Sequence, residues 1–135
     1  MTKNKPSILI VEDDLALRTL LSRFFRRFGY KVLEARDGGE AWLICERHQE
    51  PIHLMVSDIV MPRMNGRELA DRLAPVHPEM QVLYMSGYPD SDWASYGIPD
   101  ASKTVIPKPF RLIDLAKKIR EFLDQQTTIL GRDNH

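Results

Sequence analysis

A chain of 135 residues, 43% hydrophobic and 28% charged, has the size and composition of one soluble globular domain, with a core of its own and room for one site. Nineteen basic residues balance nineteen acidic ones, so the long-range positive field that draws a protein onto nucleic acid or an anionic membrane is missing, and neither partner is expected. No uncharged apolar run approaches the roughly 18 residues of a membrane span, Met1 to Pro6 leads into a strand rather than a signal-peptide core, and the lone Cys45 can form no internal disulfide; together these point to the cytoplasm.

Apolar, β-rich runs alternate along the chain with helical patterns, the signature of repeated βα units. Residues 8–11 form the first strand. Leu17, Leu20, Leu21, Phe24, Phe25 and Phe28 then recur at three- and four-residue steps, the apolar face of a helix that Gly29 ends. Residues 31–35 make a weaker second strand, and past Asp37, Gly38 and Gly39 a helix runs to about His48. The third strand spans 54–57, and its helix, from about Gly66 to Leu73, stops before Pro75 and Pro78. Residues 81–85 are the fourth strand. Gly97 and two prolines interrupt 89–99, so any helix there is expected to be short or loose. After a fifth strand at 104–106, Leu112, Leu115, Ala116, Ile119, Phe122 and Leu123 mark the buried stripe of a long final helix, and roughly the last ten residues read as a loose end. Near-continuous apolarity in strands one, three and four argues for burial on both faces, hence an α/β fold with a parallel sheet between helices, and the whole of 1–135 reads as one domain with its core at about 6–125.

The chemically loaded residues fall just past these strands. Glu12, Asp13 and Asp14 follow the first, Asp58 the third, Ser86 the fourth, and Lys108 with Pro109 the fifth. Open α/β sheets place their sites at the carboxyl edge, so these side chains are expected to meet there. Each has a plainer explanation: Asp13 or Asp14 as a helix N-cap, Asp58 and Ser86 as turn residues, Lys108 as an exposed lysine. A cap accounts for one carboxylate but not for Glu12 and Asp13 together, because crowded carboxylates repel and lose hydration unless a cation compensates. A few hard oxygen ligands suit Mg²⁺, which usually retains waters and meets one or two carboxylates and a phosphate oxygen.

At this point the residues resemble a family, the receiver domain of two-component response regulators, stand-alone or excised from a hybrid histidine kinase. Ile8 to Asp14 is similar to its acidic first turn, Ser57 to Gly66 to its phosphoacceptor loop, Met85-Ser86-Gly87 to its hydroxyl switch, and Pro107-Lys108-Pro109-Phe110 to its lysine turn. The resemblance covers about residues 6–125 and implies a flavodoxin-like sheet in strand order 2-1-3-4-5. It implies that Asp58 accepts a phosphoryl group; that Glu12, Asp13, Asp58 and the backbone carbonyl of Val60 bind Mg²⁺, Glu12 mainly through water; that Ser86 and Lys108 contact the phosphoryl oxygens; and that Lys108-Pro109 is a cis peptide. The implied donor is a phosphohistidine on a histidine kinase or phosphotransfer protein, the implied output a downstream protein target, and the only catalysis the protein's own phosphorylation and dephosphorylation.

Two departures from the family pattern matter. Val105 stands where an aromatic three residues before the lysine usually couples the hydroxyl switch to the outer face, and 89–99 is poor helix material. The loop 86–93 is therefore expected to carry the response, with Tyr88 shading the phosphoryl group and Trp93 reporting on it. Two alternatives remain open. A Mg²⁺-dependent aspartyl-phosphate phosphohydrolase wants a second acid two residues after its nucleophile, where this chain has Val60; a phosphorylation-independent interaction module would leave Asp58 unmodified.

Overall fold

The computed structural model describes residues 5–87, 96–98 and 104–133, with side chains to Asp124. Nine elements follow in chain order among the described residues: β1 (Ser7–Val11), α1 (Leu15–Arg27), β2 (Lys31–Ala35), α2 (Gly38–Arg47), β3 (Leu54–Asp58), α3 (Gly66–Leu73), β4 (Gln81–Ser86), β5 (Val105–Pro107) and α4 (Leu112–Asp133). The strands form one parallel sheet in the order β2-β1-β3-β4-β5. It is the flavodoxin-like order, with the expected elements displaced by a residue or so at their ends.

Strand alternation divides the core in two. Ile8 and Ile10 of β1, Leu54 and Val56 of β3, and Leu83 and Met85 of β4 pack with Leu21 and Phe25 of α1 and Leu115 and Ile119 of α4. Leu9, Val11 and Met55 face the other way, against Ala41 and Cys45 of α2 and Leu69 and Leu73 of α3. A third cluster of Ile59, Tyr84, Ile98 and Val105 closes the β5 edge. Each strand residue thus faces one helical layer or the other, the reason β1 and β3 are apolar almost without interruption.

The helix starts follow from short polar side chains. Asp14 caps α1, its Oδ1 accepting from the amides of Ala16 (2.9 Å) and Leu17 (3.2 Å). Asp37 caps α2 through Glu40 N at 2.8 Å, and Asn65 with Glu68 forms a reciprocal capping box on α3. Gly29, at φ +89°, turns the chain out of α1 in a conformation that other residues adopt only with strain. One end differs from expectation: α4 continues to Asp133 instead of loosening after 125. Extending an existing helix fixes one residue per hydrogen bond gained, and Gln125, Gln126, Leu130 and Arg132 are good helix formers, so a helix nucleated on the core can run past it.

Register aligns the strand ends. Val11 pairs with Ser57, Asp58 with Met85, and Ser86 with Pro107. Glu12, Asp58, Ser86 and Lys108 consequently emerge side by side at the carboxyl edge.

Candidate functional site

Glu12, Asp58 and Lys108 form a compact ion cluster at this edge. The Lys108 ammonium lies 2.6 Å from Asp58 Oδ1 and 2.9 Å from Glu12 Oε1. Glu12 is 1% exposed and Asp58 6%, so the two carboxylates meet the cation largely out of water. Asp13 stands beside them and is exposed; one carboxylate oxygen from each of Glu12, Asp13 and Asp58 lies within 4.8 Å of the others. Asp14, the fourth acid considered, spends its carboxylate as the helix cap, and that carboxylate takes no part in the cluster.

The surrounding chain aims each side chain. The second Glu12 oxygen accepts from the Asp14 amide at 3.1 Å, and its backbone carbonyl accepts from Arg18 Nη1 at 2.7 Å, so α1 holds the acidic turn from below. Ser57, fully buried, donates to the Asp58 carbonyl at 2.9 Å, and Ile59 N donates to Met85 O at 3.0 Å, fixing the end of β3 against β4. The Lys108 amide donates to the Ser86 carbonyl at 2.6 Å, tying the lysine turn to the hydroxyl residue, itself 4% exposed. The Lys108-Pro109 bond is cis, as the resemblance implies. Val60, 38% exposed, opens the loop that follows Asp58. In that loop Arg63 has φ +70° while Met64 N donates to Pro62 O at 2.8 Å, a tight and strained turn for a residue with a side chain. Gly66 closes the loop: a Cβ there would collide with the Asp58 carbonyl oxygen, so only glycine lets α3 start so close to β3.

Electrostatics follow from this crowding. Burial, then hydrogen bonding with Asp58, push the Glu12 carboxyl above its ordinary 4.5, with Lys108 opposing. Asp13 is raised above 3.8 chiefly by its hydrogen bond with Glu12, then by desolvation. For Lys108, burial favours the neutral amine, but Asp58 and Glu12 outweigh it and hold the ammonium charged. The edge therefore has surplus negative charge that one ammonium only partly satisfies. Its donors are all hard oxygen, the set that suits a divalent cation such as Mg²⁺.

Of the residues singled out in the sequence, Glu12, Asp13, Asp58 and Lys108 are brought together, Ser86 is joined to Lys108 through the backbone, and Val60 follows in the same loop. Tyr88 and Trp93 lie outside the described residues. Arg18 and Ser57 escaped notice, although Arg18 sits one turn past the acidic turn and Ser57 immediately before Asp58.

The chain belongs to the response regulator receiver domain family, whose model matches residues 8–120. It is 37% identical over 123 residues to the response regulator receiver protein CpdR of Brucella abortus (strain 2308), covering 86% of this chain and 95% of that protein. It is also 38% identical over 120 residues to the sensor kinase CckA of the same organism, which takes in 89% of this chain but only 13% of CckA. Among solved structures, the receiver domain from the hybrid histidine kinase CckA superposes with a TM-score of 0.73 at 35% identity, covering 87% of this chain and 98% of that one. A CheY-like receiver domain protein from Methanospirillum hungatei JF-1 gives 0.79 at 29% identity, covering 93% and 98%.

Proposed function

We propose that residues 1–135 act as one cytoplasmic receiver domain of a phosphorelay, in which Asp58 takes a phosphoryl group from a phosphohistidine on a histidine kinase or histidine phosphotransfer protein and so alters binding to a downstream protein. The observation that carries this reading is the Lys108 ammonium set between Asp58 and Glu12, with Asp13 in reach, at the carboxyl edge of the sheet. Glu12, Asp13, Asp58 and the Val60 carbonyl would hold Mg²⁺, which when bound supplies positive charge to the phosphoryl oxygens. An Asp58 oxygen attacks phosphorus in line; the phosphorus–nitrogen bond to the donor imidazole breaks, and the imidazole leaves with a proton from solvent. Lys108 leaves its contact with the Asp58 carboxylate to meet the phosphoryl oxygens, and the Ser86 hydroxyl donates to another. Positioning and charge neutralisation thus supply most of the catalysis. Water attacking the same phosphorus returns the Asp58 carboxylate and inorganic phosphate, so the only reactions are on the protein itself.

The phosphohydrolase alternative gains no support, since Val60 occupies the position where its second acid belongs. Among the described residues no helix is long and apolar enough to cross a membrane. Intact mass after incubation with acetyl phosphate, with and without Mg²⁺, tests the reading: a single metal-dependent adduct supports it, and its absence leaves the interaction module.

A further inference from the structure

Helix α1 carries Arg18, Arg23, Arg26 and Arg27 and no acidic residue, yet Arg18 is largely withdrawn from water, its side chain only 15% exposed. Its guanidinium is shared between two partners. Nη1 donates to the Glu12 carbonyl at 2.7 Å, while Nε lies 3.7 Å from Glu34 Oε1 on β2. Glu34 is held from α1 in turn: buried Ser22 donates to its Oε2 at 3.2 Å, and Arg26 Nη2 stands 3.7 Å from the same oxygen. Next to Glu34, the Ala35 carbonyl accepts from the Glu12 amide at 3.0 Å. Two consecutive residues of β2, a strand that adds nothing to the ion cluster, thus grip the Glu12 backbone at both ends, one directly and one through Arg18.

The oxygen that Arg18 holds belongs to the peptide joining Glu12 to Asp13. A peptide unit is planar, so pinning that oxygen together with the Glu12 amide sets the directions in which both residues present their carboxylates. A bond of 2.7 Å from a cationic donor is of the stronger, charge-assisted kind. The 3.7 Å pair with a one-third exposed Glu34 adds little energy of its own; it holds the rigid guanidinium fork in place and offsets a positive charge that would otherwise oppose a divalent ion. The plainer reading makes Arg18 a cation that merely neutralises nearby acids. The two readings differ in sign. By Coulomb's law alone, removing a cation beside the acidic turn tightens Mg²⁺ binding, whereas loss of a positioning contact weakens it.

We propose that Arg18 is a positioning residue for the acidic turn, kept in place by Glu34, and that the pair sets the affinity for the divalent ion by fixing the Glu12–Asp13 peptide. The inference rests on the reading of Glu12, Asp13 and Asp58 as Mg²⁺ ligands. Its test is isothermal titration of the full chain with Mg²⁺ alone, without a phosphoryl donor. Three variants stand beside wild type: Arg18→Met, which keeps the apolar stem; Arg18→Lys, which keeps the charge but not the fork; and Glu34→Gln, which keeps the shape. Mg²⁺ affinity should fall about tenfold in Arg18→Met, and at least about threefold in Arg18→Lys and Glu34→Gln. A purely structural role would lower the melting temperature without Mg²⁺ and leave the affinity of the folded chain unchanged. Unchanged or tighter binding by Arg18→Met, or by Arg18→Lys should the first variant not fold, would overturn the proposal, and Glu34→Gln titrating like wild type would overturn the part given to Glu34. Wild type that binds no Mg²⁺ would overturn the metal reading and this proposal with it, so the wild-type titration tells the two failures apart.

Discussion

The Lys108 ammonium, 2.6 Å from Asp58 and 2.9 Å from Glu12, holds together carboxylates that would otherwise repel. It also competes with any divalent ion for the same oxygens. Lys108→Ala should therefore leave Mg²⁺ affinity intact or raise it severalfold, while acetyl phosphate labelling falls at least about tenfold because charge on the phosphoryl oxygens goes unanswered. Isothermal titration with Mg²⁺ beside adduct formation by mass separates the two effects, and a variant like wild type in both would return Lys108 to the surface. The acids give a pH signature. Glu12 and Asp13 titrate above their ordinary 4.5 and 3.8 in the folded chain, so the fold binds their protons more tightly than the unfolded chain does. The stability this gives is present in full below those ordinary values and is lost as pH rises through the elevated ones. Under the proposed function Mg²⁺ binds the deprotonated cluster, so the melting-temperature gain from millimolar Mg²⁺ should grow as pH rises from the ordinary carboxylate range through the elevated values. A gain independent of pH would place the ion elsewhere.

Elements carry the site by meeting at close quarters, and here sequence reading had partial reach. The strands were legible because a doubly covered parallel sheet demands long apolar runs, whereas their order was implied only by the resemblance to the receiver family. The four loaded strand ends were legible because the acids and the lysine sit where such runs stop. The Gly66 contact was not, since it depends on how closely α3 approaches the Asp58 carbonyl, and neither was Arg18, whose role depends on the rotation of α1. A comparison at the start of α3 follows. Asn65→Ala removes half of the capping box and should cost about 1 kcal/mol, whereas Gly66→Ala drives a methyl group into the backbone of Asp58, the proposed phosphoacceptor, and should cost about 1–3 kcal/mol and also slow labelling of Asp58. Urea denaturation of both variants checks the order, and Gly66→Ala losing less than Asn65→Ala would contradict it. Val105 marks another limit. The sequence offers a missing aromatic, but only the sheet register reveals that Val105 pairs with Tyr84, which fills the same edge cluster with Ile59 and Ile98.

For the molecule as a whole, the zero net charge from which no long-range positive field was expected concealed a cationic α1 face, because a sum over the chain carries no positions. Composition also gave no sign that α4, at 22 residues about 33 Å long, would outrun strands of three to six residues. What the domain does rests on the edge where β1, β3, β4 and β5 end. The central claim is that Asp58 is the one phosphoacceptor and depends on the acids around it. Intact mass spectrometry after incubation with acetyl phosphate tests it most directly, on wild type with and without Mg²⁺, on Asp58→Asn and on Asp13→Ala. The account predicts a single phosphoryl adduct on wild type only with Mg²⁺, absent from Asp58→Asn and lost or greatly reduced in Asp13→Ala; an undiminished adduct on Asp58→Asn, or one indifferent to the metal, would contradict it.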